Sequence, residues 1–190
     1  RPRRRWAVCL IPSPRRPEAQ RPSGVSDSAR IEDRSIPTPW RIGQIRLDFQ
    51  TPVIMAVLNV TPDSFSDGGQ LVSTEAVVER ARREVDAGAQ LLDVGGESTR
   101  PGSEPVAAAE EIRRVVPAIE ALIDAQLPAA ISVDTQKAEV AKAALEVGAH
   151  LVNDVSALRD PDMARIVADA NGFLCLTHMR GTPQPMQQNA

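Results

Sequence analysis

The sequence predicts an α/β protein, a (β/α)8 TIM-barrel truncated to about its first five strands and four helices. From residue 53 onward, short apolar runs alternate with Ala-, Glu- and Arg-rich stretches of helical period. Two of those stretches end in Gly-Ala, at Gly88 and Gly148, directly before the next apolar run. A helix C-terminus feeding a buried parallel strand reads this way. Polar residues with chemistry to offer, Asn59, Asp93, Asp134, Asn153, Asp154 and His178, stand where apolar runs end. Barrel sites are assembled from such strand ends. No glycine-rich nucleotide fingerprint follows the first run, which weakens the competing open-sheet fold.

A length of 190 residues suits one domain, and 42% apolar with 25% charged residues excludes a collagen-like or wholly disordered chain. Net charge is −3, which gives no field for nucleic acid. Residues 1–35 nevertheless carry nine Arg against four acids, net +5, leaving −8 for the remainder. The opening RPRRRWAVCLIPSPRR resembles a secretory signal, but its apolar run is short and no small-residue cleavage site follows. Prolines at 2, 12, 14, 17 and 22 oppose an amphipathic transit helix. Residues 1–38 therefore read as a disordered basic extension, and residues 39–190 as an incomplete barrel. Cys9 and Cys175 cannot build a disulfide framework and fit a reducing, cytoplasmic setting, with Cys175 in the core. No run is long enough for a membrane span.

The segment WRIGQIRLDF alternates apolar and polar residues around Gly43 and predicts a short hairpin. Strands are expected at 53–58, 90–94, 130–133, 151–153 and 173–177, with Ile54, Leu92, Ile131 and Leu174 in the core. Helices are expected at 74–87, 105–125, 136–147 and 160–170. Three loops after strands carry the chemistry. The first, residues 59–69, pairs a Pro-Asp turn with two glycines. The second, residues 93–102, has two adjacent glycines that let the backbone approach something closely; its Arg100 either meets an anion or lies solvated. The third puts Asp134 directly after an apolar strand, with Thr135 as expected N-cap, although Asp134 could itself cap the helix.

Taken together, LNVTPDSFSDGG (58–69), LLDVGGESTRPG (91–102), ISVDT (131–135), VNDVSAL (152–158) and LTHMRGTPQPMQ (176–187) resemble dihydropteroate synthase. The resemblance covers about four-fifths of the chain, from Trp40 onward. It implies a pterin-binding barrel that condenses 6-hydroxymethyl-7,8-dihydropterin diphosphate with 4-aminobenzoate, releases diphosphate, uses Mg²⁺ and forms a homodimer when complete. Asn59 matches the asparagine near diphosphate and Mg²⁺, a neutral oxygen ligand suited to that hard ion. Asp134 and Asn153 match residues that hydrogen-bond the pterin, and Met179 an apolar wall beneath its plane. Thr99 and Arg100, with Phe65 and Pro101, match loops that close over 4-aminobenzoate; Asp93 is expected to orient the second loop. His178 is expected to be structural.

The family's later pterin-binding Asp and Lys, and its diphosphate-holding Arg and His, match nothing in residues 1–190. The chain therefore reads as a fragment, the N-terminal two-thirds of such an enzyme behind an unmatched extension. Two alternatives accompany this expectation. One is a pterin-dependent methyltransferase barrel, which would not be expected to carry both loop signatures. The other is a pterin-binding fragment without catalysis.

Overall fold

The alternating apolar and helical stretches become five parallel strands covered on one face by four helices. The computed structural model describes residues 8–11, 39–42, 45–48, 51–61, 73–98 and 105–177. In chain order the elements are β1 (Val8–Ile11), β2 (Trp40–Ile42), β3 (Ile45–Leu47), β4 (Met55–Asn59), α1 (Thr74–Asp86), β5 (Leu91–Gly95), α2 (Ala108–Asp124), β6 (Ala130–Asp134), α3 (Ala138–Glu146), β7 (Leu151–Asp154), α4 (Met163–Asp169) and β8 (Phe173–Thr177). The main sheet runs β1-β8-β7-β6-β5-β4. Strands β4 to β8 pair parallel in sequence order, as the start of a barrel requires. Among the described residues no helix is long and apolar enough to cross a membrane.

Strand pleating divides the side chains between two faces. Leu58, Leu92, Val94, Ile131, Val133, Val152 and Leu174 face the helices and join Val77, Val115, Ile119, Val140 and Met163 in the main core. On α2 the buried Val115, Ile119 and Leu122 recur at helical spacing, and full burial of each such side chain contributes roughly 1.5–3 kcal/mol. Pro117 is tolerated inside α2 because it lies on the exposed face, where the carbonyl it leaves without a donor reaches solvent. The opposite strand face forms hydrogen-bonded rows across the sheet. The uppermost is Asn59, Gly95, Asp134, Asn153 and Cys175; the next is Val57, Asp93, Ser132, Leu151 and Phe173. Cys175 is buried, as expected.

Strands β2 and β3 pair antiparallel, forming the expected hairpin, though Gly43 lies outside the described residues. Ile42 and Leu47 pack on Leu91 and Ala130, the first residues of β5 and β6, and Trp40 stacks on Phe173 at 4.9 Å. The hairpin thus floors the sheet at its N-terminal edge, opposite the polar row.

Several expectations change. Val8–Ile11, read as part of an extension, is a strand antiparallel to β8, with Val8 opposite Thr177 and Ile11 opposite Leu174. Its apolar stretch supplies backbone partners to an edge that needs them. The rest of residues 1–38 lies outside the described residues. Ile54 is 53% exposed rather than core. It precedes β4, and its carbonyl accepts from Gln90 N and Leu91 N. Helix α2 begins at Ala108, three residues later than expected, with Glu110 and Glu111 near its positive end. Helix α3 is capped by position 137, not by Thr135. Thr135 Oγ1 instead accepts from Lys137 N at 3.2 Å, while Asp160 Oδ2 accepts from Ala138 N at 2.9 Å. That use of Asp160 in a turn shortens α4 to Met163–Asp169. Gly88 and Gly148 do end their helices, at φ of +104° and +106°, a region L side chains adopt only with strain.

His150, just before β7, accepts from Ile131 N at its Nδ1 (3.1 Å). Burial pulls its imidazole below the ordinary range, against a smaller opposing effect of the Ile131 backbone. The folded state therefore binds the proton less tightly than the unfolded chain. His150 adds stability in full above the unfolded value of about 6.5, lost as pH falls through the folded value. The urea midpoint of wild type minus that of His150→Gln should shrink as pH drops from about 7 toward 5. A difference independent of pH would remove this role.

Candidate functional site

The uppermost interior row places Asn59, Gly95, Asp134 and Asn153 side by side at the C-terminal ends of β4 to β7. Gly95 keeps the row open. A Cβ there would stand 3.6 Å from Asn59 Oδ1 and 3.8 Å from Asp134 Oδ2, filling the gap between them. Gly96 serves a different need. A Cβ at that position would reach 2.8 Å from Val115 Cγ1 and 3.1 Å from Glu111 Cγ. The close backbone approach expected from the paired glycines is thus partly internal, β5 against α2. Arg114 Nη1 fixes it further by donating to Gly96 O at 2.9 Å.

Carboxylates crowd around this row. Burial, then the charges of Asp93, Glu111, Asp154 and Glu97, push Asp134 up to about 8. It therefore holds a proton at neutral pH and offers both a donor and an acceptor. Burial also raises Asp93, against the opposing pull of Ser132 and Asn153. Asp93 Oδ2 accepts from Asn153 Nδ2 at 2.9 Å. Among the described residues, Asp93 Oδ1, Ser132 Oγ and Asp134 Oδ1 are buried without a hydrogen-bond partner of proper geometry. Asp134 Oδ1, beside the facing Ser132 and Asp93 side chains, leaves a buried polar group for a ligand to meet.

Two neighbouring groups are structural. Lys137 bridges Glu97, after β5, and the buried Glu111 of α2. Asp154 is fully buried and consumed by its own loop, accepting from Ser156 N, Ser156 Oγ and Leu158 N at 2.6–2.7 Å. That loop holds Ala157 and Leu158 at positive φ.

A family model described as pterin binding enzyme matches residues 55–190. The chain belongs to the pterin-binding enzymes. Among relatives of this pterin-binding chain, dihydropteroate synthase of Escherichia coli strain K12 is 46% identical over 142 residues, covering 75% of the chain and 50% of the relative. Among solved structures, the Yersinia pestis dihydropteroate synthase in a sulfonamide drug complex aligns with a TM-score of 0.72 and 43% identity, over 80% of this chain and 55% of that one. The Xanthomonas albilineans enzyme with 4-aminobenzoic acid aligns at 0.63 and 49%, over 69% and 48%. The pterin-binding chain spans about half the length of the relatives it matches, not the two-thirds expected from its motifs.

Within this pterin-binding fold, Asn59, Asp93, Asp134 and Asn153 converge as the sequence suggested. Asp93 accepts from Asn153 through Oδ2, and most of the loop it was expected to orient lies outside the described residues. Phe65, Thr99, Arg100, Pro101, His178 and Met179 lie outside the described residues. Sequence reading missed Ser132, Glu97, Glu111 and Lys137. Glu111 left a signal, since it occupies the apolar face of α2 at the spacing of Val115, Ala118 and Leu122.

Proposed function

We propose that the protein carrying this segment is a dihydropteroate synthase, joining 6-hydroxymethyl-7,8-dihydropterin diphosphate to 4-aminobenzoate with release of diphosphate. The observation that carries the reading is the adjacent pair Asp134 and Asn153 at the ends of β6 and β7. One offers a carboxyl group and the other an amide oxygen, acceptors suited to a heterocycle edge that carries N–H donors. Similarity to the Escherichia coli and Yersinia pestis synthases, and to the Xanthomonas albilineans synthase with 4-aminobenzoic acid, supports the same substrates.

In this reading the arylamine nitrogen forms a bond to the pterin methylene carbon as its C–O bond breaks. Diphosphate departs with the electron pair, and the amine proton is lost to solvent. Asp134 and Asn153 orient the ring, and the carboxylates around them favour positive charge developing on it. Thr99, Arg100, Phe65 and Pro101 are assigned to 4-aminobenzoate, and Met179 to the ring face. Mg²⁺ fits as an ion brought with the diphosphate: Asn59 Oδ1 borders the gap left by Gly95, and Mg²⁺ needs only one or two protein ligands beside phosphate oxygens. Bound there, it would neutralise charge on the leaving group.

Isothermal titration with 6-hydroxymethylpterin and a turnover assay with both substrates and Mg²⁺ on the protein carrying this segment test the reading. Absence of both binding and dihydropteroate formation would overturn it. Asp134 adds a sharper test. Because its folded value of about 8 lies above the unfolded 3.8, the empty fold should lose stability as pH rises from about 4 to about 8. Ring N–H groups facing the carboxyl would favour its ionised form, so pterin binding at pH 7 should release protons in wild type and none in Asp134→Asn. Asp134→Ala should weaken binding about 10- to 100-fold. Titration in buffers of differing ionisation enthalpy reads the proton count, and equal counts in wild type and Asp134→Asn would exclude this role.

A further inference from the structure

The Asp93–Asn153 hydrogen bond joins strands that are not neighbours. It runs from β7 to β5 across β6, where Ser132 pairs in register with Asp93. Ser132 is fully buried and Asp93 only 2% exposed, so a small side chain at 132 leaves room for the crossing. A carboxylate only accepts, and it therefore selects the nitrogen end of the Asn153 amide. Oxygen and nitrogen lie on opposite arms of that planar group, so the bond turns Asn153 Oδ1 away from Asp93. Without such a partner the amide can turn over and present NH₂ instead, exchanging an acceptor for donors.

We propose that Asp93 is a specificity-positioning residue: it fixes Asn153 as an acceptor, so the ligand must bring an N–H donor to the end of β7. The ligand class is a fused heteroaromatic ring with a lactam N–H edge. This rests on the pterin reading and adds the residue that sets its polarity. Asp93 contacts the ligand's partner and acts through it.

The test compares 6-hydroxymethylpterin with its 2,4-diamino counterpart, which carries no lactam N–H, by calorimetry. Asp93→Asn should shrink the preference of wild type between the two ligands by about tenfold or more, because two amides can pair in either sense. The double variant D93N/N153D should return the preference to within about threefold, since the new amide can donate only to an acceptor-only carboxylate. Ser132→Val, which obstructs the crossing while keeping both partners, should act in the same direction as Asp93→Asn. Equal loss of both ligands in Asp93→Asn would assign it a purely structural role and overturn the proposal. If Asp93→Asn fails to fold, the double variant and Ser132→Val decide. The Asn153 side-chain amide resonances give a readout without ligand: they should move in Asp93→Asn, and unmoved resonances overturn the proposal. Wild type that binds neither ligand would reject the pterin reading, while the resonances still judge the positioning.

Discussion

Lys137→Met should destabilise the fold by roughly 3–5 kcal/mol, the range for stranding one member of a buried ion pair. The Glu111 side chain is 1% exposed, and its Oε1 already lacks a partner, so Lys137 is what makes its burial tolerable. Lys137 itself is 28% exposed, which makes loss of the lysine more costly than loss of the acid. Adding Glu111→Leu to Lys137→Met should recover most of the stability, because an apolar side chain suits the surroundings of α2. Urea unfolding of both single variants and the double gives the coupling. A cost below about 1 kcal/mol for Lys137→Met would reclassify the pair as an ordinary surface bridge.

Asp154→Ala should cost roughly 3–4 kcal/mol, since three hydrogen bonds to a buried carboxylate end together. The loop it organises holds Ala157 and Leu158 at φ of 56° and 65°, conformations costing about 1–2 kcal/mol each without support. Hydrogen exchange should show the Ser156 and Leu158 amides losing protection well before those of β7. Protection equal to wild type would show that the loop is held by something else.

Much of the fold was legible because its signals are local. Glycine at 88 and 148 announces a helix end whatever the surroundings, and runs such as LLDVG can be satisfied only by burial on both faces. What escaped was decided by tertiary contact. Nothing near position 96 reveals that Val115 and Glu111 occupy the space of its Cβ. The amide of Ala138, which opens α3, donates to Asp160, 22 residues away, a partner that no local rule could supply. Two successive left-handed residues at 157 and 158 contradict their own propensities and exist because Asp154 accepts from the backbone beyond them. The site divides in the same way. Asp134 and Asn153 were visible as polar endings of apolar runs, whereas the partner of Asp93 lies 60 residues on and two strands over.

The β2–β3 hairpin gives the sheet a polarity. Trp40 against Phe173, and Ile42 and Leu47 against Leu91 and Ala130, gather apolar contacts at the N-terminal ends of the strands. The polar row of Asn59, Asp134 and Asn153 stands at the opposite ends. One end of the sheet is thus built to be held together and the other to be met by a ligand.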